Sequence, residues 1–209
     1  MSSTSALSRE EYRKIVKRHL QRDDFELAWH AVAALRTDFK GFMGDHLELR
    51  VAVSLGNRES EGAKTIELQF FVKSVPLDDA YHGYQKEIML YGDLLPDMQK
   101  HLRCSEYEAS THLSTVPKCY YSRLDFLVLE DLALAGYRML DPMKPLDVRQ
   151  CECALKALAR LHATSIVFEE RGGRRLADKY PLLAQETVYR KETDLTSLVN
   201  RLMGRICWT

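Results

Sequence analysis

The segments LELRVAVSL (residues 47–55) and IELQFFVK (residues 66–73) show the pattern that indicates the fold class. Apolar and polar side chains largely alternate along each segment, and a period of two is that of a β-strand with one buried face. The residues between them, 56–64, are rich in Gly, Ser, Asn and Glu, as expected for a surface loop. Two such strands joined by a polar loop predict an antiparallel hairpin.

Helical patterns flank this hairpin. Ser8 and Glu11 form a capping box, and apolar residues then recur at helical spacing, which predicts a first helix of about 14 residues. A second helix is predicted from Ala80 to Leu95, with Pro96 ending it because proline cannot continue a helix. Residues 25–35 are ambiguous, since their alanines favour a helix.

Further along the chain, strands give way to helix. Short apolar segments at 119–121 and 126–129 predict two strands around a turn. Asp147 and Gln150 then begin the strongest helical pattern in the chain, which a glycine pair at 172–173 ends. This order predicts an α+β chain in which a small sheet-based lobe precedes a helical one.

Composition places the chain among ordinary soluble proteins, with 45% hydrophobic and 29% charged residues among 209. Its 30 basic and 30 acidic side chains give a formal net charge of zero, so the charge balance predicts neither nucleic acid nor a membrane as a partner. No apolar run approaches the roughly 20 residues that span a bilayer, and the polar N-terminus lacks a signal peptide's apolar core. The five scattered cysteines indicate neither a disulfide framework nor a metal site. We therefore expect a cytoplasmic protein.

Gly41 and Gly44 are the first candidate ligand-binding residues, because they lie just before the strand that begins near Leu47. Glycines at this point let backbone N–H groups approach phosphate oxygens, which a Cβ would obstruct. Two glycines three residues apart match neither the dinucleotide-binding pattern nor the P-loop, so a plain turn is the competing interpretation.

Lys73 and Glu87 are the second candidates. Glu87 lies three residues after Tyr84 and four before Tyr91, on the same predicted helix face as two aromatic side chains. A buried carboxylate needs a partner, because an unpaired buried charge is strongly destabilising. Lys73, at the end of the preceding strand, is the predicted partner. In protein-kinase-like folds a lysine and glutamate so placed hold the phosphates of ATP.

Glu130, Asp131 and Leu132 are the third candidates. They follow the apolar segment FLVL (residues 126–129). An apolar strand that breaks into acidic residues is typical of a hinge between two lobes, where backbone groups are free to contact an adenine edge. The same pattern is equally that of a strand ending in a turn.

Several ordered segments between about residues 40 and 170 resemble the ecdysteroid kinase-like family. This family, also called CHK kinase-like, is related to choline and aminoglycoside kinases. The segments are FVKSVP (71–76), KEI (86–88) with Tyr91 and LLP (94–96), CYY (119–121), LVLEDL (127–132) with Gly136-Tyr137, and LARLHATS (158–165).

The resemblance implies a protein-kinase-like fold. Residues 1–131 would form a nucleotide-cradling N-terminal lobe, an antiparallel sheet plus one helix, which requires a strand in residues 25–35. Residues 132–209 would continue from the hinge into the first helices of an incomplete C-terminal lobe.

The resemblance also implies an activity. Family members are expected to use ATP and Mg²⁺ to transfer the γ-phosphoryl group to a hydroxyl of a small molecule, with ecdysteroids as the named substrate class. Lys73 would bind the phosphates with Glu87 as its partner, and residues 130–132 would lie beside adenine.

Such kinases also need a His-Gly-Asp loop followed by Asn, and a later Asp-Phe-type motif, to orient the acceptor and hold Mg²⁺. None of the seven histidines begins a His-x-Asp sequence, and Asp38-Phe39 lies upstream of the lysine strand, in the wrong order. We therefore expect a chain truncated before the catalytic and metal-binding aspartates. It should contain no catalytic residue or metal ligand, bind nucleotide weakly and not turn over alone. The apolar face of the helix after Asp147 should then be exposed.

Two other functions fit the same sequence. One is a non-catalytic, pseudokinase-like interaction fragment that docks through its exposed helical face. The other is a fragment of a choline- or aminoglycoside-type kinase, against which the CYY and LEDL segments weigh.

Overall fold

The computed structural model describes residues 7–35, 45–55, 64–74, 82–103, 115–141 and 143–186. Its elements in chain order are α1 (Arg9–Leu20), β1 (Phe25–Ala34), β2 (Asp45–Leu55), β3 (Lys64–Ser74), α2 (His82–Met89), α3 (Leu95–Arg103), β4 (Cys119–Arg123), β5 (Phe126–Glu130), α4 (Val148–Gly172) and α5 (Leu176–Lys179). A π-helical turn, Leu90–Leu94, joins α2 to α3, and a 3₁₀ turn, Pro181–Ala184, follows α5.

The strands form one five-stranded sheet in the order β1-β2-β3-β5-β4. Every neighbouring pair is antiparallel. The predicted hairpin is the β2–β3 pair, whose register runs from Asp45 opposite Ser74 to Leu55 opposite Lys64. The α+β class, with an antiparallel sheet followed by helices as in a kinase-like N-terminal lobe, is therefore confirmed.

Residues 25–34 form strand β1. This strand pairs along its length with β2, from Phe25 opposite Leu55 to Ala34 opposite Leu47, with one irregularity near Leu27. Most β1 side chains are exposed, including Trp29 at 42%. Pairing with β2 therefore overrides the helix propensity of the alanines, since strand formation depends on the neighbouring strand more than on local preference.

The main core lies between α1 and one face of the sheet. Tyr12, Ile15 and Val16 of α1 are almost fully buried, in accordance with the helical spacing in the sequence. They pack with sheet residues that follow the strand period of two, namely Leu49, Val51, Val53, Phe70, Val72, Phe126 and Val128. On the opposite face, Tyr84 of α2 packs against Leu127 and Leu129.

The prediction that Pro96 ends the second helix is wrong. The helix continues as α3 to Arg103, because the turn at 90–94 is widened to a π-helical one. In that turn the Leu95 N–H bonds to the Leu90 carbonyl, five residues back. Pro96 is then the second residue of α3, a position where a missing N–H is tolerated.

Helix α4 begins and ends as predicted. The Asp147 side chain accepts a hydrogen bond from the Gln150 N–H at 2.7 Å, and the Gln150 side chain accepts one from the Asp147 N–H at 2.9 Å. Gly173 caps the C-terminus with a left-handed backbone, φ 61°. The predicted exposed face is present, since Leu155 is 64% and Leu158 47% exposed.

A second core joins the helices on both sides of residue 131. Met98 of α3 is almost fully buried and packs in one cluster with Phe168 of α4 and Tyr180. The other buried members are Met89, Leu94 and Leu95. The helix that carries Glu87 is therefore held by the sheet on one side and by α4 and α5 on the other.

Candidate functional site

Lys73 and Glu87 meet on one face of the sheet, as the helical spacing predicted. Lys73 Nζ forms an ion pair and hydrogen bond with Glu87 Oε2. Their side chains are only 14% and 26% exposed, respectively. Lys73 lies near the end of β3, the central strand of the sheet, opposite His46 of β2 and Leu127 of β5. The contact is a feature of the structure, whereas a role in binding phosphate stays a prediction.

Tyr84 fixes the geometry of this pair. Its hydroxyl donates to the Lys73 carbonyl at 3.1 Å, and its ring centroid lies 5.6 Å from the Lys73 ammonium. Burial, together with the neighbouring Glu87 carboxylate, raises the pKa of Tyr84 far above its ordinary value of 10.0. Tyr84 therefore stays protonated and keeps donating, which anchors the helix of Glu87 to the strand of Lys73.

A large cleft covers the same side of the sheet toward the hinge. Its volume is about 1080 Å³, just above the roughly 300–1,000 Å³ that is typical of small-molecule and cofactor sites. The lining includes Phe71, two residues before Lys73 and hence on the same face of β3. All three predicted hinge residues also line it, namely Glu130, Asp131 and Leu132.

The backbone of residues 130–132, the predicted hinge, is already hydrogen-bonded within the chain. The Glu130 N–H donates to the Lys118 carbonyl at 2.8 Å. The carbonyls of Asp131 and Leu132 accept from Leu134 and Tyr137 at 3.2 and 3.0 Å, respectively. The sequence suggested that the backbone groups of residues 130–132 are free. Instead, a ligand at the Asp131 and Leu132 carbonyls has to share these acceptors with the N–H groups of the turn that follows.

Other residues line this cleft without belonging to any of the sequence motifs. Gln69 is one of them. It lies two residues before Phe71 and four before Lys73, so strand alternation places the three side chains on the same face of β3. Glu48 and Arg50 of β2 contribute in the same way. Strand alternation counted back from Lys73 could have identified Gln69. No comparable signal in the sequence indicates that the turn after residue 131 lines the cleft.

Gly41 and Gly44 lie outside the described residues, so their proposed contact with phosphate stays a prediction. In the described part of the chain, no three His, Cys, Asp or Glu side chains come close enough together to hold a metal ion. None of the helices in those ranges has both the length and the apolar character of a membrane span.

Comparison with models of known protein families identifies a family for this chain. The model of the ecdysteroid kinase-like family matches residues 42–206, well over half of the 209 residues. No curated protein and no solved structure matches the chain. The matched range contains the Lys73–Glu87 pair and the hinge, and it agrees with the family that the sequence motifs resemble. The chain therefore belongs to the ecdysteroid kinase-like family.

Proposed function

We propose that the cleft beside the hinge is a nucleotide site and that the chain carries the ATP-binding part of a small-molecule kinase. The Lys73–Glu87 pair is the observation that carries this proposal. A partly buried ammonium at the end of the cleft-facing side of β3 is suited to bind phosphate oxygens, and Glu87 holds it in place. The family's expected reaction is phosphoryl transfer from ATP to a hydroxyl of a small molecule, ecdysteroid-like or related.

Lys73 does not itself line the cleft but lies two residues beyond Phe71 on the same face of β3, so the ion pair and the cleft have separate roles in this proposal. Lys73 binds the α- and β-phosphates, and the apolar surface of Phe71 and Leu129 receives the base. The backbone of Glu130, Asp131 and Leu132 contacts the adenine edge. Because two of these carbonyls already accept hydrogen bonds, we expect weak binding of the base.

We further propose that the 209-residue chain alone does not transfer phosphate. Its sequence contains no His-x-Asp, which would orient the acceptor hydroxyl. Mg²⁺ neutralises charge on the phosphates when it is bound, but the described residues provide no cluster to hold it. Nucleotide binding without turnover is the expected behaviour.

Calorimetric titration with ATP tests this function. Wild-type protein should bind ATP, and Lys73→Ala should weaken binding by at least about tenfold, since a hydrogen bond to a charged group is lost. Lys64→Ala, at the exposed opposite end of the same strand, is the matched control and should bind normally. Equal affinity in the Lys73 and Lys64 variants, or phosphorylation of a hydroxyl substrate by the purified chain, would contradict the proposal.

The exposed face of α4 favours a second candidate, a non-catalytic interaction fragment. Leu155 and Leu158 are joined there by Val148 at 77% exposure and Ile166 at 56%. Apolar surface of this kind promotes association. Sedimentation of the wild type and of Leu158→Glu separates the candidates. Association that Leu158→Glu abolishes, in a protein that binds no ATP, would favour the interaction fragment over the kinase.

A further inference from the structure

Gln69 lies where β3 and β5 separate. The last backbone pair between these strands is Phe70 opposite Glu130. In an antiparallel ladder the next pair joins the preceding residue of one strand to the following residue of the other, here Gln69 and Asp131. Their side chains make that connection instead: Gln69 Nε2 donates to Asp131 Oδ2 at 2.7 Å. A side-chain hydrogen bond thus extends the sheet by one pair at the point where the hinge begins.

The second oxygen of the same carboxylate organises the hinge. Asp131 Oδ1 accepts from the Ala133 N–H at 2.9 Å, which is the geometry of an Asx turn. The turn continues with the Leu134 N–H on the Asp131 carbonyl and the Gly136 N–H on the Ala133 carbonyl, at 3.2 and 3.1 Å. One carboxylate therefore joins the sheet through Oδ2 and the turn through Oδ1.

Gln69 and the turn also line the same cleft. Gln69 forms part of its wall on the sheet side, and Leu132 and Tyr137 form part of its wall on the hinge side. The Gln69–Asp131 bond crosses between these two walls. The bond therefore ties the turn to the sheet at this part of the cleft.

We propose that Gln69 is a positioning residue for the hinge, holding residues 131–137 at the distance from the sheet that nucleotide binding requires. This rests on the function proposed above for the cleft. Gln69 acts through Asp131, so its loss should alter the turn without disturbing the Lys73–Glu87 pair, four residues along β3.

This role is tested by exchanging the donor and the acceptor of the hydrogen bond between residues 69 and 131. In Gln69→Glu two carboxylates oppose each other, which should push the turn away from the sheet. In the double variant Gln69→Glu/Asp131→Asn the hinge amide donates to the β3 carboxylate, while its oxygen still accepts from the Ala133 N–H. The double variant keeps the wild-type net charge. Gln85→Glu, at an exposed position of α2, is the control for the added charge.

Two measurements on the full chain are read together: hydrogen exchange of the amides in residues 131–137 without ligand, and calorimetric ATP affinity. Gln69→Glu should speed exchange there about tenfold and weaken ATP by about tenfold, and the double variant should restore both to within about threefold of wild type. Gln85→Glu should change neither.

Unchanged exchange in Gln69→Glu, or a folded double variant that recovers neither property, would overturn the role of Gln69. A wild-type chain that binds no ATP refutes the proposed nucleotide site and the affinity half of this inference. The exchange results then still decide whether Gln69 positions the turn.

Discussion

At the scale of single residues, partly buried charges are the main determinants of the site. The Lys73 ammonium and the Glu87 carboxylate each remove the cost of burying the other. A second charged group of this kind, Glu11 of α1, accepts hydrogen bonds at 2.6 and 2.8 Å from Tyr121 and Arg123 on β4. The Lys73–Glu87 pair connects α2 to the sheet, and Glu11 connects α1 to the edge strand β4.

Removing one member of the Lys73–Glu87 pair should destabilise the fold. Lys73→Met leaves the Glu87 carboxylate partly buried without its cation, which should cost about 1–2 kcal/mol of unfolding free energy, because partial exposure screens the charge. Lys73→Met/Glu87→Gln should recover most of that loss, since no unpaired charge remains. Urea denaturation measures both. If the double variant is no more stable than Lys73→Met, the unpaired Glu87 charge is not the cause of the lost unfolding free energy.

Glu11 should make stability depend on acid pH. Partial burial opposes ionisation, but hydrogen bonds from Tyr121, the Ser8 N–H and Arg123 outweigh it and lower the pKa of Glu11 from 4.5 to about 2. Because the folded pKa lies below the unfolded one, the stabilisation is fully present above about pH 4.5 and is lost as the pH falls toward 2.

Glu11→Gln should therefore be less stable than wild type at neutral pH and should lose less stability between about pH 4.5 and 2. Urea midpoints across that range measure the difference. Glu10→Gln is the control, because Glu10 is 77% exposed and forms only a surface pair with Lys14. Parallel pH curves for wild type and Glu11→Gln would contradict the assignment.

At the scale of elements, the π-helical turn at 90–94 decides how α2 and α3 pack. It carries the chain past Pro96 and directs Leu95 and Met98 into the second core. It also brings Gly92 against β4, where a Cβ on Gly92 would lie 2.8 Å from Ser122 Oγ. A side chain at residue 92 would therefore require the Ser122 hydroxyl to move, whereas the Ser122 Cβ would remain at an ordinary contact distance of 3.7 Å.

This close approach predicts a coupled pair of substitutions. Gly92→Ala should lower the free energy of unfolding by about 1 kcal/mol more in the wild-type background than in the Ser122→Ala background. The reason is that the added methyl group meets the Ser122 hydroxyl. Urea denaturation of the two single variants and the double variant measures the coupling. Strictly additive effects would mean that a methyl group at residue 92 of the π-helical turn does not meet the Ser122 hydroxyl of β4.

The elements also show how far sequence reasoning reaches. Strand alternation identified β2 and β3, and a capping box and a glycine pair identified the two ends of α4, because these signals are local. The β1 strand and the continuation past Pro96 were missed or left open, because a neighbouring strand and a widened turn decide them. For the site, helical spacing placed Glu87 facing Lys73. The engagement of the hinge carbonyls depends on a turn whose geometry no local pattern specifies.

At the scale of the whole molecule, the two halves of the chain are tied together behind the site. Asp97 of α3 accepts from Lys179 Nζ and the Tyr180 hydroxyl, each at 2.6 Å. These hydrogen bonds lower the pKa of Asp97 below its ordinary value, so the connection stays charged near neutral pH. Lys86, next to Glu87, bonds to the Gln185 carbonyl. The position of the Glu87 helix is therefore a property of both halves.

The most direct test of the account is hydrogen exchange of the full chain with and without ATP. Adding ATP should slow exchange in two separate segments, the end of β3 around residue 73 and the hinge at 130–137, and this protection should be lost in Lys73→Ala. Protection that is absent from both segments, or that persists in Lys73→Ala, would contradict the claim that Lys73 and the hinge form one nucleotide site.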